Sequence, residues 1–188
     1  MKNLTEKEKM ILGLAYYPTK DSTLENDRNK CKTLCAEYNS RKYDDKSRFD
    51  LLKNILGKIE GNIVIEPYFW CDYGYNIEVG KDFYSNHNLT ILDCAKVKFG
   101  SGVLIGPNCS FYTALHPLKV KERQDLIEYA RPITVEDNVW IGGSVVVLAG
   151  VTIGKNSVIG AGSVVTKDIP ANVVAVGNPC RVIKTIEN

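Results

Sequence analysis

The stretch from Val135 to Pro170 decides the fold. It reads VEDNVW IGGSVV VLAGVT IGKNSV IGAGSV VTKDIP, which is six consecutive units of six residues. Every unit begins with Val or Ile, and every fifth position holds Val, Ser or Ile. Earlier copies of the pattern lie at Phe99–Leu104 and Ile105–Ser110. A short fixed period of this kind is the signature of a repeat architecture.

A unit of six residues has room for one short strand and one turn. If three units bring the chain back to its starting direction, the aliphatic first positions stack into columns, and each strand pairs with its equivalent one coil away. Gly and Asn fall at the turns, where their tolerance of positive φ is useful. A β-sandwich with alternating strands is the competing interpretation, but six unbroken units disfavour it. The repeat therefore predicts a mainly β protein built as a parallel coiled stack.

The chain before residue 58 has a different character. Thr5 and Glu8 form the Ser/Thr-x-x-Glu pattern of a helix start, in which two side chains satisfy each other's backbone donors. Further helices are predicted over Leu24–Tyr38 and over Ser47–Leu56, the latter ended by Gly57. From Ile63 onward β-branched residues, Gly and Asn dominate. We therefore predict a helical cap over residues 1–57 and a β domain over residues 58–188.

Composition excludes several classes of function. The 188 residues carry 24 Lys and Arg against 22 Asp and Glu, so there is no electrostatic case for nucleic acid or an anionic membrane. The N-terminus lacks the apolar run of a secretory signal, and no stretch approaches the ~20 apolar residues of a membrane span. We therefore expect a cytoplasmic protein. The two His residues cannot supply a three-histidine zinc site within one subunit.

The six Cys residues are expected to be structural thiols. They show no Cys-x-x-Cys spacing, so free thiols in a reducing compartment are favoured over disulfides or a zinc site. No metal site is predicted. The cysteines are Cys31, Cys35, Cys71, Cys94, Cys109 and Cys180.

Motifs around the repeat resemble those of the maltose and galactoside O-acetyltransferases, a branch of the hexapeptide-repeat acyltransferases. The maltose enzymes are the closer likeness, because of Asp72 and the string that surrounds it. The resemblance runs from the cap to the end of the chain and implies a left-handed parallel β-helix, an exception to the usual right-handed crossover. The motifs are Cys71–Ile77 (CDYGYNI), Asn86–Asn88 (NHN), Thr113–Pro117 (TALHP), Pro132-Ile133, Asn138–Gly142 (NVWIG) and Gly177–Pro179 (GNP).

The repeat is interrupted between Ser110 and Val135, and we predict an extruded loop at about residues 111–131. The residues of the coils are needed for stacking, whereas those of an extruded loop are not. Such a loop is therefore a favourable place for functional groups. His116 lies in this loop, and a neutral imidazole can accept a hydroxyl proton near pH 7. The resemblance implies that His116 is the general base of a direct attack without an acyl-enzyme. It also implies that Asn86 stabilises the transition state, whereas His87 is expected to be a packing residue.

The resemblance also implies binding residues. Acetyl-CoA is the implied co-substrate, and no metal is required. Small residues would let the pantetheine approach the backbone, and cations would meet the phosphates; these positions are Gly143, Ala161, Thr166, Lys167, Arg181 and Lys184. Sugar contacts are expected from Asp72, Asn86 and Glu128. Asp93 is a further candidate, because Cys94 stands where the galactoside enzymes carry an acidic residue.

The predicted function is an acetyl-CoA-dependent O-acetyltransferase that acts on a sugar hydroxyl, either glucose- or maltose-like or a galactoside. The alternative is transfer to a non-sugar hydroxyl or to an amine, such as that of an antibiotic. A non-catalytic scaffold would be expected to lack the His-Pro loop. Relatives are trimers with the site between subunits, so the resemblance implies a homotrimer that binds coenzyme A and a small sugar.

Overall fold

The cap consists of three helices. The structure is a computed structural model that describes residues 4–187, so residues 1–3 of the predicted cap and Asn188 lie outside it. The helices are α1 (Glu6–Ile11), α2 (Ser22–Ser40) and α3 (Ser47–Ile55). All three predicted helices are confirmed. At the start of α1, Thr5 Oγ1 accepts the Glu8 N–H at 3.1 Å, and the Glu8 carboxylate accepts the Thr5 N–H at 2.7 Å.

The rest of the described chain is mainly short strands. Before the extruded loop they are β1 (Lys58–Ile59), β2 (Ile63–Ile65), β3 (Phe69–Cys71), β4 (Ile77–Val79), β5 (Phe83–Ser85), β6 (Leu89–Leu92), β7 (Val97–Phe99), β8 (Leu104–Ile105) and β9 (Ser110–Tyr112). The loop contains β10 (Ala114–Leu115), α4 (Val120–Gln124) and β11 (Tyr129–Ala130). After it come β12 (Ile133–Val135), β13 (Trp140–Ile141), β14 (Val146–Leu148), β15 (Thr152–Ile153), β16 (Val158–Ile159), β17 (Val164–Val165), β18 (Val173–Val176) and β19 (Arg181–Thr185).

These strands form the three sides of a parallel β-helix. Sheet 1 has the order β1-β4-β7-β12-β15, sheet 2 the order β2-β5-β8-β13-β16-β18, and sheet 3 the order β3-β6-β9-β14-β17. The chain visits sheets 1, 2 and 3 in turn, and every neighbouring pair within these orders is parallel. The last strand, β19, adds to β18 in the antiparallel sense. The predicted β-helix is confirmed.

The first position of each repeat unit fills the core, as predicted. Ile141 pairs with Ile105 one coil before it and with Ile159 one coil after it. All three side chains are at most 2% exposed. Burying an aliphatic side chain of this size contributes about 1.5–3 kcal/mol. The same burial holds for Val135, Val147, Ile153 and Val165.

Asn residues turn the chain between sheet 1 and sheet 2. Asn138, Asn156 and Asn172 have φ values of 57°, 61° and 59°. Their side chains form a ladder, with Asn138 Nδ2 donating to Asn156 Oδ1 at 3.2 Å and Asn156 Nδ2 donating to Asn172 Oδ1 at 2.8 Å. The turn role predicted for Asn is therefore confirmed, and the ladder also satisfies side-chain amide groups.

The extruded loop leaves the stack between sheet 3 and sheet 1. Its predicted start near residue 111 is about two residues early, because β9 continues the ladder through Tyr112, which pairs with Leu148. The loop closes where the Arg131 N–H donates to the Thr113 carbonyl at 3.0 Å. Inside it, β10 and β11 form an antiparallel pair. The loop is therefore a structured hairpin. Within residues 4–187, no helix combines the length and apolarity needed to cross a bilayer.

Candidate active site

The edge between sheet 3 and sheet 1, called here the 3/1 edge, gathers most of the predicted acceptor residues. Asp72 follows β3, Asp93 follows β6, and the loop that carries His116 and Glu128 follows β9. These strands are successive members of sheet 3. Because their C-terminal ends meet at one edge of the sheet, the residues that follow them are stacked on one another. Spacings of 21 and 23 residues along the chain thus become neighbouring positions in space.

His116 lies directly after β10 with its side chain 55% exposed. Its Nε2 is 3.9 Å from Glu128 Oε1, and the Glu128 side chain is only 17% exposed. This separation is too long for a hydrogen bond but suits an ion pair once the ring is protonated. The arrangement therefore provides a carboxylate to stabilise the charge that His116 would gain on accepting a proton.

Glu128 is held in place by Tyr16 of the cap. The Tyr16 hydroxyl donates to Glu128 Oε2 at 2.6 Å. The two backbones also pair, with Tyr16 N–H donating to the Glu128 carbonyl at 3.1 Å and Glu128 N–H to the Tyr16 carbonyl at 2.9 Å. Burial raises the pKa of the Tyr16 phenol, so this hydroxyl remains a donor. No sequence pattern predicts this pairing, because the two partners are 112 residues apart and only the packed cap brings them together.

Tyr16 belongs to a small apolar cluster that joins the cap to the 3/1 edge. Its buried members are Met10, Tyr16, Leu24, Tyr73, Cys94 and Ala130. They come from the cap, from the turns after β3 and β6, and from β11 of the loop. The cluster therefore fixes the loop relative to the coils. A packed surround of this kind holds functional groups more rigidly than a free loop would.

Asp72 and Asp93 have different environments at this edge. Asp72 is partly buried, and desolvation raises the pKa of its carboxyl although Arg28 of α2 acts in the opposite direction. Asp93 is fully buried. Its Oδ1 accepts the backbone N–H groups of Asp72 at 3.0 Å and Tyr73 at 2.9 Å, and burial raises the pKa of its carboxyl to about 7. Asp93 thus supports the turn that carries Asp72, and it does not reach the surface where a direct sugar contact was expected.

Cys94, the residue after Asp93, also contacts Asp72. The Cys94 thiol lies 3.8 Å from Asp72 Oδ2. Burial raises the pKa of Cys94, so this thiol is a neutral neighbour of the carboxylate. The chain therefore offers Asp72 as the partly exposed acidic group at this point of the edge.

Asn86 lies on a different edge, between sheet 2 and sheet 3, called here the 2/3 edge. Its Oδ1 accepts the His87 backbone N–H at 2.7 Å. Within residues 4–187 its Nδ2 has no hydrogen-bond partner, so this amide can donate to a ligand. The packing role expected for His87 is wrong: its ring is exposed and its Nδ1 contacts the Pro67 carbonyl.

Small residues follow Asn86 along the 2/3 edge, and they include two predicted coenzyme contacts. The Gly143 carbonyl accepts the Gly162 N–H at 2.9 Å, so Gly143 and Ala161 lie on successive coils. A Cβ at Gly142 would approach the Ala161 nitrogen to 2.6 Å, which shows how closely the coils pack here. Ala161 is exposed. This edge therefore offers a ridge of accessible backbone.

The four remaining coenzyme candidates lie at two other places. Thr166 and Lys167 follow β17 at the 3/1 edge and are exposed. Arg181 and Lys184 lie on β19, whose five residues are all exposed at the margin of sheet 2. Arg181 Nη1 donates to the Cys180 carbonyl at 2.8 Å. Each side chain is thus accessible to a phosphate.

One chain does not bring the two predicted catalytic residues together. Asn86 precedes β6, whereas the loop carrying His116 follows β9, so the residues lie at opposite edges of sheet 3. At about 3.3 Å per residue, strands of three or four residues separate these edges by roughly 10 Å or more. Each chain therefore presents two separate half-sites, one on each side of sheet 3.

Comparison with known proteins agrees with this architecture. Residues 9–61 match the profile described as "Maltose acetyltransferase hexapeptide capping motif", and residues 132–167 match "Bacterial transferase hexapeptide (six repeats)". A putative acetyltransferase of Saccharomyces cerevisiae is 50% identical over 180 residues, covering 95% of this chain and 92% of the relative.

Two solved structures show the same fold over nearly the whole chain. A maltose O-acetyltransferase from Clostridium difficile 630 is 49% identical with a TM-score of 0.96, covering 98% of this chain and 99% of that one. A galactoside acetyltransferase in complex with coenzyme A is 43% identical with a TM-score of 0.94, covering 98% and 92%.

The six-residue repeat, the three-sided coil and the capping helices together define a hexapeptide-repeat transferase. Sequence identities of 50% and 49% over almost the entire chain narrow this class to one family. The chain belongs to the maltose acetyltransferase family of hexapeptide-repeat acetyltransferases.

Proposed function

We propose that this protein transfers the acetyl group of acetyl-CoA to a hydroxyl of a sugar, with His116 as the general base. The observation that carries the proposal is the Tyr16–Glu128–His116 arrangement, in which a cap tyrosine holds a carboxylate 3.9 Å from an exposed imidazole. The coenzyme A bound to the related galactoside acetyltransferase supports the donor substrate. We place the protein in the cytoplasm, where acetyl-CoA is available.

The reaction needs one proton acceptor and one hydrogen-bond donor for the oxyanion. His116 takes the proton of the sugar hydroxyl as its oxygen attacks the thioester carbonyl carbon. The carbonyl π electrons move to oxygen, and the resulting oxyanion accepts a hydrogen bond from Asn86 Nδ2. When the C–O double bond re-forms, the C–S bond breaks, and the coenzyme A thiolate takes the proton from the His116 imidazolium. The acetyl ester and free coenzyme A thiol leave, and His116 is neutral again.

Asn86 suits the donor role because of its intrachain hydrogen bond. The His87 N–H occupies Oδ1 and so fixes which side of the amide faces outward. The NH₂ group is left for the ligand. In this proposal Asn86 also contacts the sugar hydroxyl that reacts.

On the acceptor side, Asp72 and Glu128 are the proposed sugar contacts. Carboxylate oxygens accept hydrogen bonds from hydroxyl groups, which a sugar supplies in number. In this proposal Asp93 does not contact the sugar itself. Its Oδ1 accepts the backbone N–H groups of Asp72 and Tyr73 and so supports the turn that carries Asp72. We propose that the reaction requires no metal, since His116 supplies the base and Asn86 supplies the hydrogen-bond donor for the oxyanion.

We further propose a homotrimer in which the 2/3 edge of one subunit faces the 3/1 edge of the next. A closed ring of three such contacts would join Asn86 of one chain with His116 of its neighbour. The outward side chains of sheet 2 support an interface, because Val64, Leu104 and Trp140 are 46%, 48% and 56% exposed. A continuous apolar face of this kind marks a contact surface. Sheet 1 instead presents Lys58, Glu78 and Lys98.

A hybrid experiment tests where the site lies. We expect that chains carrying His116→Ala and chains carrying Asn86→Ala, each strongly impaired alone, recover activity when they are refolded together in equal amounts. Random assembly would give about one site in four with an intact His116 from one chain and an intact Asn86 from its neighbour. Acetyl-transfer rates of the mixture and of each parent give the answer. If the mixture is no more active than its parents, His116 and Asn86 of the same chain form the active site.

Arg181 is expected to act on the coenzyme alone. Arg181→Ala should raise the KM for acetyl-CoA about tenfold and leave the KM for the sugar unchanged, because a charge-assisted phosphate contact contributes on the order of 1.5–3 kcal/mol. Steady-state kinetics with each substrate varied in turn provides the measurement. Lys155→Ala, which removes an exposed cation from the edge between sheets 1 and 2, is the matched control. An equal rise in both KM values would argue against a phosphate contact.

The acceptor class is tested by a thiol-release assay with acetyl-CoA over a panel of sugars, amino alcohols and aminoglycosides. We expect turnover with glucose, maltose or a galactoside and mass addition of one acetyl group to the sugar. Acetylation of amines without any sugar turnover would favour the alternative function and overturn this one.

A further inference from the structure

Three cysteines that the proposed reaction does not use meet at the junction of the cap and the first coil. Cys31 and Cys35 lie one turn apart on α2, and Cys71 is the last residue of β3. The Cys31 and Cys71 sulfurs are 3.4 Å apart, and the Cys35 and Cys71 sulfurs are 3.8 Å apart. All three sulfurs lie within 4.8 Å of one another, and each residue is at most 4% exposed.

This spacing matches a metal site. Three thiolates at about 2.3 Å from a zinc ion stand about 3.8–4.0 Å from one another. The two sulfur distances to Cys71 therefore need only tenths of an ångström of adjustment to surround a cation, and the Cys31 and Cys35 sulfurs lie within 4.8 Å of each other. Thiolates select soft or borderline cations over Mg²⁺ and Ca²⁺. Helix α2 supplies the geometry, because residues four apart lie on the same face of a helix.

We propose that Cys31, Cys35 and Cys71 form a binding site for one thiophilic divalent cation of the zinc and cadmium type. Each thiol loses its proton to solvent as its sulfur binds, so three protons are released and the complex carries one negative charge. Among the residues that the structure describes, no fourth protein ligand joins the three sulfurs. The fourth position is left to water.

A pocket beside the cluster gives the cation a route inward. It has a volume of about 230 Å³, and Cys31 lines it together with Asp27, Lys30, Asn54, Tyr73 and Tyr75. The Lys30 side chain places a positive charge at the same pocket as the anionic complex. A space of this size also accommodates a water ligand.

The site would act as a clamp between α2 and β3. The cap already contacts this strand through Asn39, whose side chain exchanges two hydrogen bonds with the Phe69 backbone at 2.8 and 2.9 Å. A cation shared by both elements would bind the folded state and not the unfolded one, and would therefore stabilise the cap on the coil. This role is independent of acetyl transfer, since none of the three cysteines lies among the proposed site residues.

Cadmium titration of the full-length reduced protein tests the site. We expect an ultraviolet thiolate-to-cadmium charge-transfer band that saturates at one equivalent, together with a rise of several degrees in Tm. Cys35→Ser should abolish the band. Cys180→Ser removes a buried thiol outside the cluster and should leave the band unchanged.

X-ray absorption on the cadmium-loaded wild-type protein makes the test independent of how the variants fold. We expect three sulfur neighbours in the first shell. Absence of the band at excess cadmium, its persistence in Cys35→Ser, or a first shell with fewer than three sulfurs would each overturn the proposal.

Discussion

His116→Ala is expected to lower kcat for acetyl transfer by about 10³-fold or more while leaving the affinity for coenzyme A within about twofold of wild type. General bases contribute typically 10²–10⁴-fold, and in the proposed mechanism His116 handles the proton twice. Because its side chain is 55% exposed and lies outside the packed cores, its loss should not affect folding. Steady-state rates, calorimetric coenzyme binding and the sedimentation coefficient are the measurements.

The matched control for His116 is the other histidine in the chain. His87→Ala removes a second exposed imidazole and should retain near wild-type kcat. Near wild-type turnover by His116→Ala would contradict the assignment of the base. Loss of coenzyme binding alongside the loss of rate would show that His116 acts through substrate binding.

Asn86→Ala is expected to lower kcat by about 10²–10³-fold with little change in the KM for acetyl-CoA, the cost of removing one oxyanion-hole donor. The reason is that its Nδ2 would meet the oxyanion, whose charge develops only in the transition state. Asn86→Asp supplies a comparison of equal size that replaces the donor with an acceptor, and it should be at least as damaging.

The measurement for Asn86 is whether the substitution changes kcat, the acceptor KM or both. Asn29→Ala, an exposed amide on α2, controls for a general effect of losing an asparagine. A change confined to the acceptor KM would make Asn86 a binding residue. Full activity in Asn86→Ala would remove it from the site altogether.

The amount of fold that could be predicted differs between the two parts of the chain. The six-residue period places Val135, Ile141 and Val147 on three different sheets and predicts their burial, because a repeat uses one local geometry many times. The cap has no such redundancy. Its helices follow from Thr5, Gly57 and apolar spacing, but nothing local predicts that Tyr16 would pair with Glu128.

The candidate site shows the same division. His116 stands out as a histidine in a break of the repeat, and Asn86 by its motif. The placement of Asp93 beneath the Asp72 turn depends on which backbone groups point at its carboxylate, and this is decided by stacking of the turns after β3 and β6. The separation of Asn86 from His116 likewise depends on which edge of sheet 3 each residue occupies.

By itself, the sequence determined the β-helix, the position of the cap and the residue types available for acyl transfer, because periodicity and turn chemistry are local properties of the chain. Only the tertiary structure decided that Tyr16 holds Glu128 beside His116, that Asn86 faces a different edge, and that Cys31 and Cys35 meet Cys71. The Tyr16–Glu128 contact joins residues 112 positions apart, and the Cys35–Cys71 contact joins residues 36 positions apart. No local pattern encodes them, since they exist only once the coils have stacked and the cap has packed against them.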